Sequence, residues 1–322
     1  MFKIPTVLRA DELIDRAFKK SSKVNVPRRS KIDFVRQKNI AKITTASEII
    51  SSTLRKYVRA FPDVDNLPPF YQEMIDLLIG ADRLKKSLGA ADWCASQVMR
   101  VSRSYRLKIR KSRNISEIDA MRGECYGRAS SLVKQIDKEL KLLGDARNEL
   151  KRMPTIAPDV RTIVVAGAPN VGKSQLVAAI STAKPKIASY PFTTKEITVG
   201  IFAVNRRKFQ IIDTPGLFDR PLEKRNEIER RAILALRHLS DLMIFILDPT
   251  GTCGYPIDYQ LSLLEEIKRQ FSHARMIVIE NKADLLKEKR YELAVSALTG
   301  AGLEELKKVI ETELSDFVQQ DI

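Results

Sequence analysis

The first half of the chain carries apolar residues at intervals of three and four, which is the spacing of one buried face of an α-helix. Turn residues between Pro62 and Pro69 interrupt this pattern. The predicted helices cover residues 11–20, 32–61, 69–78, 81–112 and 116–152. Consecutive helices with apolar stripes pack against one another, so we expect residues 1–152 to form an all-α helical bundle domain.

The pattern changes after residues 153–160, a stretch with two prolines that we interpret as a linker. From there to the end, short apolar runs alternate with helical patterns. Strands are predicted at 162–166, 197–204, 209–212, 242–247 and 276–279, with a weaker one at 291–295, and helices near 173–182, 224–238, 257–271 and 303–318. This alternation predicts an α/β domain over 161–322, with a mostly parallel sheet between helices and its ligand at the carboxyl ends of the strands.

Charge is distributed unevenly between the two halves. Of a formal net charge of +16, residues 1–158 hold 33 Lys and Arg against 18 Asp and Glu, while residues 159–322 hold 23 against 22. The excess lies in the helical half, as expected of a domain that contacts a polyanion. Five arginines at helical spacing share one face and suit RNA phosphates: Arg100, Arg103, Arg106, Arg110 and Arg113. For this run alone, a solvated helix face is the alternative.

Composition excludes several classes of protein. Hydrophobic residues make up 44% and charged residues 30% of the chain, which is typical of a folded globular protein. The sequence has no apolar run long enough to span a membrane and no secretory signal at its N-terminus. Its three cysteines have no paired spacing for zinc or for disulfides. We therefore expect a cytoplasmic protein without a membrane or DNA partner.

One motif in the second half points to phosphate binding. The predicted strand 162–166 runs directly into Gly-x-x-x-x-Gly-Lys-Ser, and a helical pattern follows. Glycines allow such a loop to wrap an anion with its N–H groups, at the positive end of a helix. The predicted binding residues are Gly167, Ala168, Pro169, Asn170, Val171, Gly172, Lys173, Ser174 and Gln175. Lys173 would bridge the β- and γ-phosphates, and Ser174 would bind Mg²⁺. A glycine-rich turn before an ordinary helix is the alternative for this motif alone.

Residues at other predicted strand ends support the nucleotide interpretation. Asp213 ends the run 209–212 and would hold Mg²⁺, while the N–H of Gly216 would contact the γ-phosphate. A hydroxyl from the polar loop before the second predicted strand would complete the metal shell, and we favour Thr194 over Thr193. The predicted metal ligands are therefore Ser174, Thr194 and Asp213.

A further motif predicts the nucleobase. Asn281-Lys282-Ala283-Asp284 follows the predicted strand 276–279. The Asp284 carboxylate would accept hydrogen bonds from guanine N1–H and its exocyclic amine, which adenine lacks, so the site should select GTP and GDP. Lys282 would cover the base, and the backbone of Ser296, Ala297 and Leu298 would approach its O6.

Three longer stretches resemble a known family. Ala183-Lys-Pro-Lys-Ile187 leading into Tyr190-Pro-Phe-Thr-Thr194 is similar to GTPases of the Obg-like branch. The stretches 213–229 and 247–255 are similar to the Nog family, the nucleolar GTP-binding proteins and their archaeal relatives. Because eukaryotic members carry long C-terminal extensions, this chain resembles a short, archaeal-type member.

The resemblance implies a GTP-hydrolysing switch that acts in assembly of the large ribosomal subunit. Its basic helical half would bind ribosomal RNA and pre-ribosomal proteins, and the loops 187–196 and 214–226 would respond to the γ-phosphate. Other RNA-linked GTPase tasks, such as tRNA modification or translation, are the main alternative. A GTP-gated module of a membrane complex is a third.

The resemblance also carries expectations about hydrolysis. Leu217 stands where many GTPases have a water-orienting Gln, and a Leu side chain cannot hydrogen-bond to water, so we expect slow intrinsic hydrolysis. Asn170 resembles the asparagine by which some relatives bind K⁺. The residues expected to assist hydrolysis are Lys173, Thr194, Gly216 and Asn170. Asp248, Cys253 and His238 are interpreted as packing or family-specific structure.

Overall fold

The structure, a computed structural model, describes residues 2–27, 30–153, 156–157, 160–189, 196–218, 227–272, 274–286, 288 and 291–315. The chain divides into two compact units. The first contains Met1–Asn66 and Leu78–Lys151, and the second contains Leu67–Leu77 and Arg152–Ile322. Among the helices of the described residues, none combines the length and the apolar character needed to cross a membrane.

The helices of the described residues follow the predicted pattern closely. They are α1 (Ala10–Ser22), α2 (Lys31–Ala60), α3 (Pro69–Leu78), α4 (Ala81–Lys111), α5 (Ile115–Gln135), α6 (Asp137–Arg152), α7 (Lys173–Ile180), α8 (Glu227–Ala235), α9 (Ile257–Gln270) and α10 (Leu303–Ser315). In the first unit, α2 packs along α4, and α5 covers both. Apolar side chains from these three helices form a common core: Ile43, Tyr105, Ile109, Ile118 and Cys125. The all-α character predicted for this half is confirmed.

The single helix predicted over 116–152 is wrong, because the chain breaks at Ile136 between α5 and α6. Asp137 begins α6, and its Oδ1 accepts hydrogen bonds from the backbone N–H of Ala10 at 2.9 Å and from Arg9 Nε at 2.9 Å. A carboxylate at a helix N-terminus is stabilised by the helix dipole. The apolar spacing continues across the break, which is why the pattern alone did not reveal it.

The arginines of the basic run differ in the exposure of their side chains. Arg100, Arg103, Arg110 and Arg113 are exposed. Arg106 is half-buried and donates from Nη1 to Thr44 Oγ1 at 3.3 Å, so it turns towards α2. The expectation that five arginines share one solvent face therefore holds for Arg100, Arg103 and Arg110 on α4, because Arg106 is half-buried and Arg113 lies beyond the helix end.

The second unit contains a sheet of six strands in the described residues. They are β1 (Arg161–Ala166), β2 (Lys186–Ser189), β3 (Glu196–Val204), β4 (Arg207–Asp213), β5 (Leu242–Leu247) and β6 (Arg275–Glu280), in the order β2-β3-β4-β1-β5-β6. β4, β1, β5 and β6 are parallel, while β2 and β3 join the edge in antiparallel pairing. Strands β1 and β5 are buried almost throughout, as expected at the centre of a parallel sheet covered by helices. The predicted fold class is confirmed.

Two predictions about the sheet are corrected by the structure. The weak strand at 291–295 is not formed, and its place is taken by a single bridge between Glu280 and Ala294. Conversely, β2 lies where the sequence predicts a loop. This strand has four residues at the sheet edge, and its Ile187 side chain is 66% exposed, so it lacks a buried apolar run.

Helix α3 lies in the second unit, whereas the sequence predicts it as part of the helical half. Its Phe70 and Met74 side chains are fully buried. The hydroxyl of Tyr71 accepts a hydrogen bond from the Ile156 N–H at 3.0 Å. The domain limits 1–152, 153–160 and 161–322 stay predictions, and the compact units differ from them by this segment.

Candidate nucleotide-binding site

The loop between β1 and α7 needs glycine at two positions. Gly167 has φ +143°, and a Cβ there would lie 2.6 Å from the Ile246 carbonyl oxygen. Gly172 has φ +100°, and a Cβ there would lie 2.1 Å from Asn281 Nδ2. These close approaches exclude any side chain. The loop backbone is therefore shaped by its contacts with the ends of β5 and β6.

The ammonium of Lys173 folds back over this loop. Lys173 is buried, and its Nζ donates to the carbonyl oxygens of Gly167 at 2.9 Å and Ala168 at 2.7 Å. It faces a cavity of about 410 Å³, whose lining is Pro169, Asn170, Gly172, Lys173, Ser174, Gln175, Pro215 and Gly216. The predicted phosphate-side residues are thus brought together. Ala168 and Val171 are the exceptions, because their side chains are buried in the core beneath the loop and only their backbone remains for a ligand.

A carboxylate and a hydroxyl meet beside this cavity. Ser174 Oγ donates to Oδ2 of Asp213, a fully buried side chain whose Oδ1 has no hydrogen-bond partner among the described residues. Burial raises the pKa of Asp213, and the Ser174 hydrogen bond only partly opposes this shift. Hard divalent cations prefer such oxygen ligands, so the pair fits Mg²⁺. Thr194, the third predicted ligand, lies outside the described residues.

A Mg²⁺ ion at the Ser174–Asp213 pair would need phosphate oxygens of a bound nucleotide to complete its shell. Within the described part of the chain, no cluster of three or more His, Cys, Asp or Glu side chains could hold a metal ion. Mg²⁺ at a phosphate site keeps waters and phosphate oxygens in its shell, so two protein oxygens are a sufficient contribution.

Residues 281–284 follow β6 and form the predicted base-side loop, which is held in place by the Asn281 side chain. This buried side chain donates from Nδ2 to the Val171 carbonyl at 2.8 Å and accepts from the Ala297 N–H at 3.0 Å. Ser296 is buried, whereas the side chains of Asp284 and Leu298 are exposed. The Asn281 amide therefore joins the start of the predicted base segment 281–284 to Ala297 of the predicted segment 296–298 and to Val171 of the phosphate loop.

The contact that Asp248 makes with Lys282 is not evident from the sequence. Asp248, for which the sequence predicts packing or family-specific structure, is fully buried at the end of β5 and accepts a hydrogen bond from Lys282 Nζ at 2.5 Å. Burial acts to raise the pKa of Asp248, but hydrogen bonds from Lys282 and Thr250 outweigh it and hold that pKa below its usual value. A carboxylate directly after the apolar run 242–247 was the available signal.

Leu217 lies in the core. Its side chain is 1% exposed, and its N–H donates to the Thr214 carbonyl at 3.1 Å. The neighbouring Phe218 ring packs edge-on against Phe271, with ring centroids 5.4 Å apart. The residue after Gly216 thus contributes packing to this loop.

A strand, a glycine loop and a helix, at the centre of a mostly parallel sheet, define the P-loop class of folds. The second unit has the GTPase form of it, with its base-side loop at the end of β6. Family models extend this assignment: residues 2–157 match the NOG1 N-terminal helical domain, and residues 227–284 match nucleolar GTP-binding protein 1 (NOG1). The chain belongs to the nucleolar GTP-binding protein 1 family.

The chain is also similar to individual proteins. An uncharacterised protein of Methanocaldococcus jannaschii is 42% identical over 292 residues, which is 89% of this chain and 82% of that protein. Nucleolar GTP-binding protein 1 of Kluyveromyces lactis is 31% identical over 315 residues, which is 97% of this chain and 47% of that protein. The chain thus spans about half the length of that nucleolar relative. The G domain of the Thermotoga maritima FeoB iron transporter is a solved structure that covers 48% of this chain and 98% of its own, with 31% identity and a TM-score of 0.40.

Proposed function

We propose that this protein binds GTP with Mg²⁺, hydrolyses it to GDP and phosphate, and acts as a switch in assembly of the large ribosomal subunit. The observation that carries the proposal is the buried Lys173 ammonium at a cavity beside the Ser174–Asp213 pair. A fixed positive charge next to a buried carboxylate and a hydroxyl suits a phosphate chain with its metal. Membership of a family named for GTP binding supports the same assignment.

Guanine is selected by Asp284. Its exposed carboxylate is available to accept hydrogen bonds from guanine N1–H and the exocyclic amine, while Asn281 holds the surrounding loops in place. Adenine offers neither pairing in that position and would leave a carboxylate desolvated without a donor.

Hydrolysis depends on Lys173, Ser174, Asp213 and Thr194. Mg²⁺, held by Ser174, Asp213 and Thr194, would neutralise charge on the phosphates. Lys173 stabilises the charge that develops on the transferred phosphate, and the Gly216 N–H contacts the γ-phosphate. Because Leu217 is buried and apolar, the chain has no amide there to orient water, so intrinsic hydrolysis is slow and a ribosomal particle, a partner or a cation supplies the assistance.

Potassium is one candidate for that assistance. Asn170 lies in the phosphate loop with φ +60°, is exposed and lines the cavity. Its side-chain oxygen is available to a monovalent cation beside the phosphates. Hydrolysis should then be faster in KCl than in NaCl, and Asn170→Ala should remove the difference. Equal rates of the wild-type protein in both salts would exclude a role for K⁺.

The helical half supplies the RNA contact. Its charge excess and the exposed arginines 100, 103, 110 and 113 suit phosphates of ribosomal RNA, with pre-ribosomal proteins as further partners. We place the protein in the cytoplasm, since Cys94, Cys125 and Cys253 are free and buried, as suits a reducing compartment.

Two measurements test this function. Calorimetric titration should show GDP binding at least about a hundredfold tighter than ADP, because the bound base desolvates the Asp284 carboxylate and only guanine offers it hydrogen-bond donors. Equal affinities would contradict the proposal. In a sucrose gradient with a GTP analogue that resists hydrolysis, the protein should sediment with large-subunit particles. Sedimentation with tRNA or with membranes instead would assign it to another task.

A further inference from the structure

The ammonium of Lys282, in the base-side loop, is held by Asp248, which directly follows the neighbouring strand β5. Asp248 Oδ2 lies 2.5 Å from Lys282 Nζ, and the same ammonium donates to Thr252 Oγ1 at 2.6 Å. The Asp248 side chain is fully buried and that of Lys282 is 20% exposed. We propose that Asp248 is a positioning residue for nucleotide binding, which holds Lys282 where its side chain covers the purine ring. This proposal rests on the function proposed above.

The carboxylate itself is fixed on every side. Its Oδ1 accepts from the Thr250 N–H at 3.0 Å and from the Thr250 hydroxyl. Its Oδ2 also accepts from the Cys253 N–H at 2.8 Å and from Thr252 Oγ1 at 3.1 Å. Gln260, fully buried on α9, clamps the backbone of Asp248 by accepting from its N–H at 2.8 Å and donating to its carbonyl at 3.0 Å. Asp248 therefore has one orientation.

The lysine backbone is fixed as well. Lys282 has φ +62°, and the preceding Asn281 N–H donates to the Leu247 carbonyl at 2.9 Å. With both its backbone and its ammonium held, the side chain has lost most of its rotamer freedom before a ligand arrives. A group ordered in advance adds to affinity, because binding does not have to order it.

The position of Asp248 determines whether it affects the affinity for nucleotides or the preference for guanine. It contacts the lysine of the base-side loop, and Asp284 is left to read the guanine edge. Removing the carboxylate should thus weaken GDP and GTP by the same factor and leave the preference for guanine over adenine unchanged. Because a general disturbance of the fold would also weaken all nucleotides by one factor, the coupling between Asp248 and Lys282 is what separates the two causes.

A double-mutant cycle tests the proposal. GDP, GTP and ADP affinities are measured for the wild type, Asp248→Asn, Lys282→Met and the double variant. Asp248→Asn should lose about tenfold in affinity for both GDP and GTP, the equivalent of one hydrogen bond to a charged group. Lys282→Met should lose at least as much. Because Asp248 acts through Lys282, the double variant should bind no more weakly than Lys282→Met.

Thr252→Val is the second variant, in case Asp248→Asn does not fold. It removes one acceptor of the same ammonium and should cause a smaller loss that disappears in the Lys282→Met background. Losses that multiply in the double variants would overturn the proposal, since Asp248 and Thr252 would then act on the loop and not on the lysine. Unchanged or tighter GDP binding by Asp248→Asn would also overturn it. Failure of the wild-type protein to bind GDP would instead overturn the proposed function.

Discussion

Asn281 donates a hydrogen bond from Nδ2 to the carbonyl oxygen of Val171 at 2.8 Å, across 110 positions of sequence. The same side chain accepts from the Ala297 N–H at 3.0 Å. One buried amide thus joins the phosphate loop, the loop after β6 and the Ser296–Leu298 turn. The geometry of the base side and that of the phosphate side are therefore coupled before any nucleotide binds.

Asn281→Ala should damage stability and binding together. The substitution leaves the Val171 carbonyl and the Ala297 N–H without their partner, which costs about 1–3 kcal/mol in the free energy of unfolding. GDP affinity should fall as well, because the loops lose their common anchor. Urea unfolding and GDP titration measure the two effects. Ser262→Ala, which removes an exposed hydrogen bond on α9, is the control and should change neither. Normal GDP binding by Asn281→Ala would contradict the coupling.

Restoring a glutamine after Gly216 should not restore fast hydrolysis. The Leu217 side chain is buried, so Leu217→Gln would place an amide in the core and destabilise the protein by about 1–3 kcal/mol. Single-turnover GTP hydrolysis and thermal unfolding of the variant provide the test, with Leu217→Met as the apolar control of similar size. A tenfold or larger increase in the hydrolysis rate of Leu217→Gln would show that position 217 faces the nucleotide.

The sequence predicted those parts of the fold whose signals are local. Strands β1 and β5 contain continuous apolar runs, which predict buried strands. The glycines at 167 and 172 predict a tight loop, and in the structure a Cβ at either position would clash with a neighbouring atom. The break at Ile136 was hidden because the apolar spacing runs through it. The contact between Asp248 and Lys282 depends on the ends of two neighbouring strands, and no local pattern encodes that adjacency.

The exposed arginines of the helical half should control RNA affinity through its salt dependence. Replacing Arg103 and Arg110 by Ala should make the slope of log K against log salt concentration shallower by about two, one for each lost phosphate contact. Filter binding of ribosomal RNA fragments at several KCl concentrations measures this slope. Lys208→Ala with Lys308→Ala, exposed charges in the second unit, is the matched control. Equal slopes for both double variants would contradict an RNA contact on α4.

Acid should remove one tertiary contact of the first unit. Hydrogen bonds from Arg9 and from the Ala10 N–H lower the pKa of Asp137 from 3.8 to about 2. Because the folded-state pKa lies below the unfolded one, the contact stabilises the fold above pH 3.8, and this contribution disappears as the pH falls towards 2. Asp137→Asn should therefore lower the melting temperature at pH 7 and have little effect at pH 2. Asp92→Asn, which alters an exposed pair at 3.9 Å, is the control. An equal deficit for Asp137→Asn at both pH values would disagree with this assignment.

In the proposed function, a guanine nucleotide binds to the second unit and Asp284 pairs with the edge of its base. Xanthine carries an oxygen in place of the exocyclic amine, so it repels a carboxylate but accepts a hydrogen bond from an amide. Affinities of the wild type and Asp284→Asn for GDP and xanthosine diphosphate test this claim directly. The wild type should prefer GDP by at least about a hundredfold, and Asp284→Asn should prefer xanthosine diphosphate. An Asp284→Asn variant that keeps the wild-type preference for GDP would contradict the account.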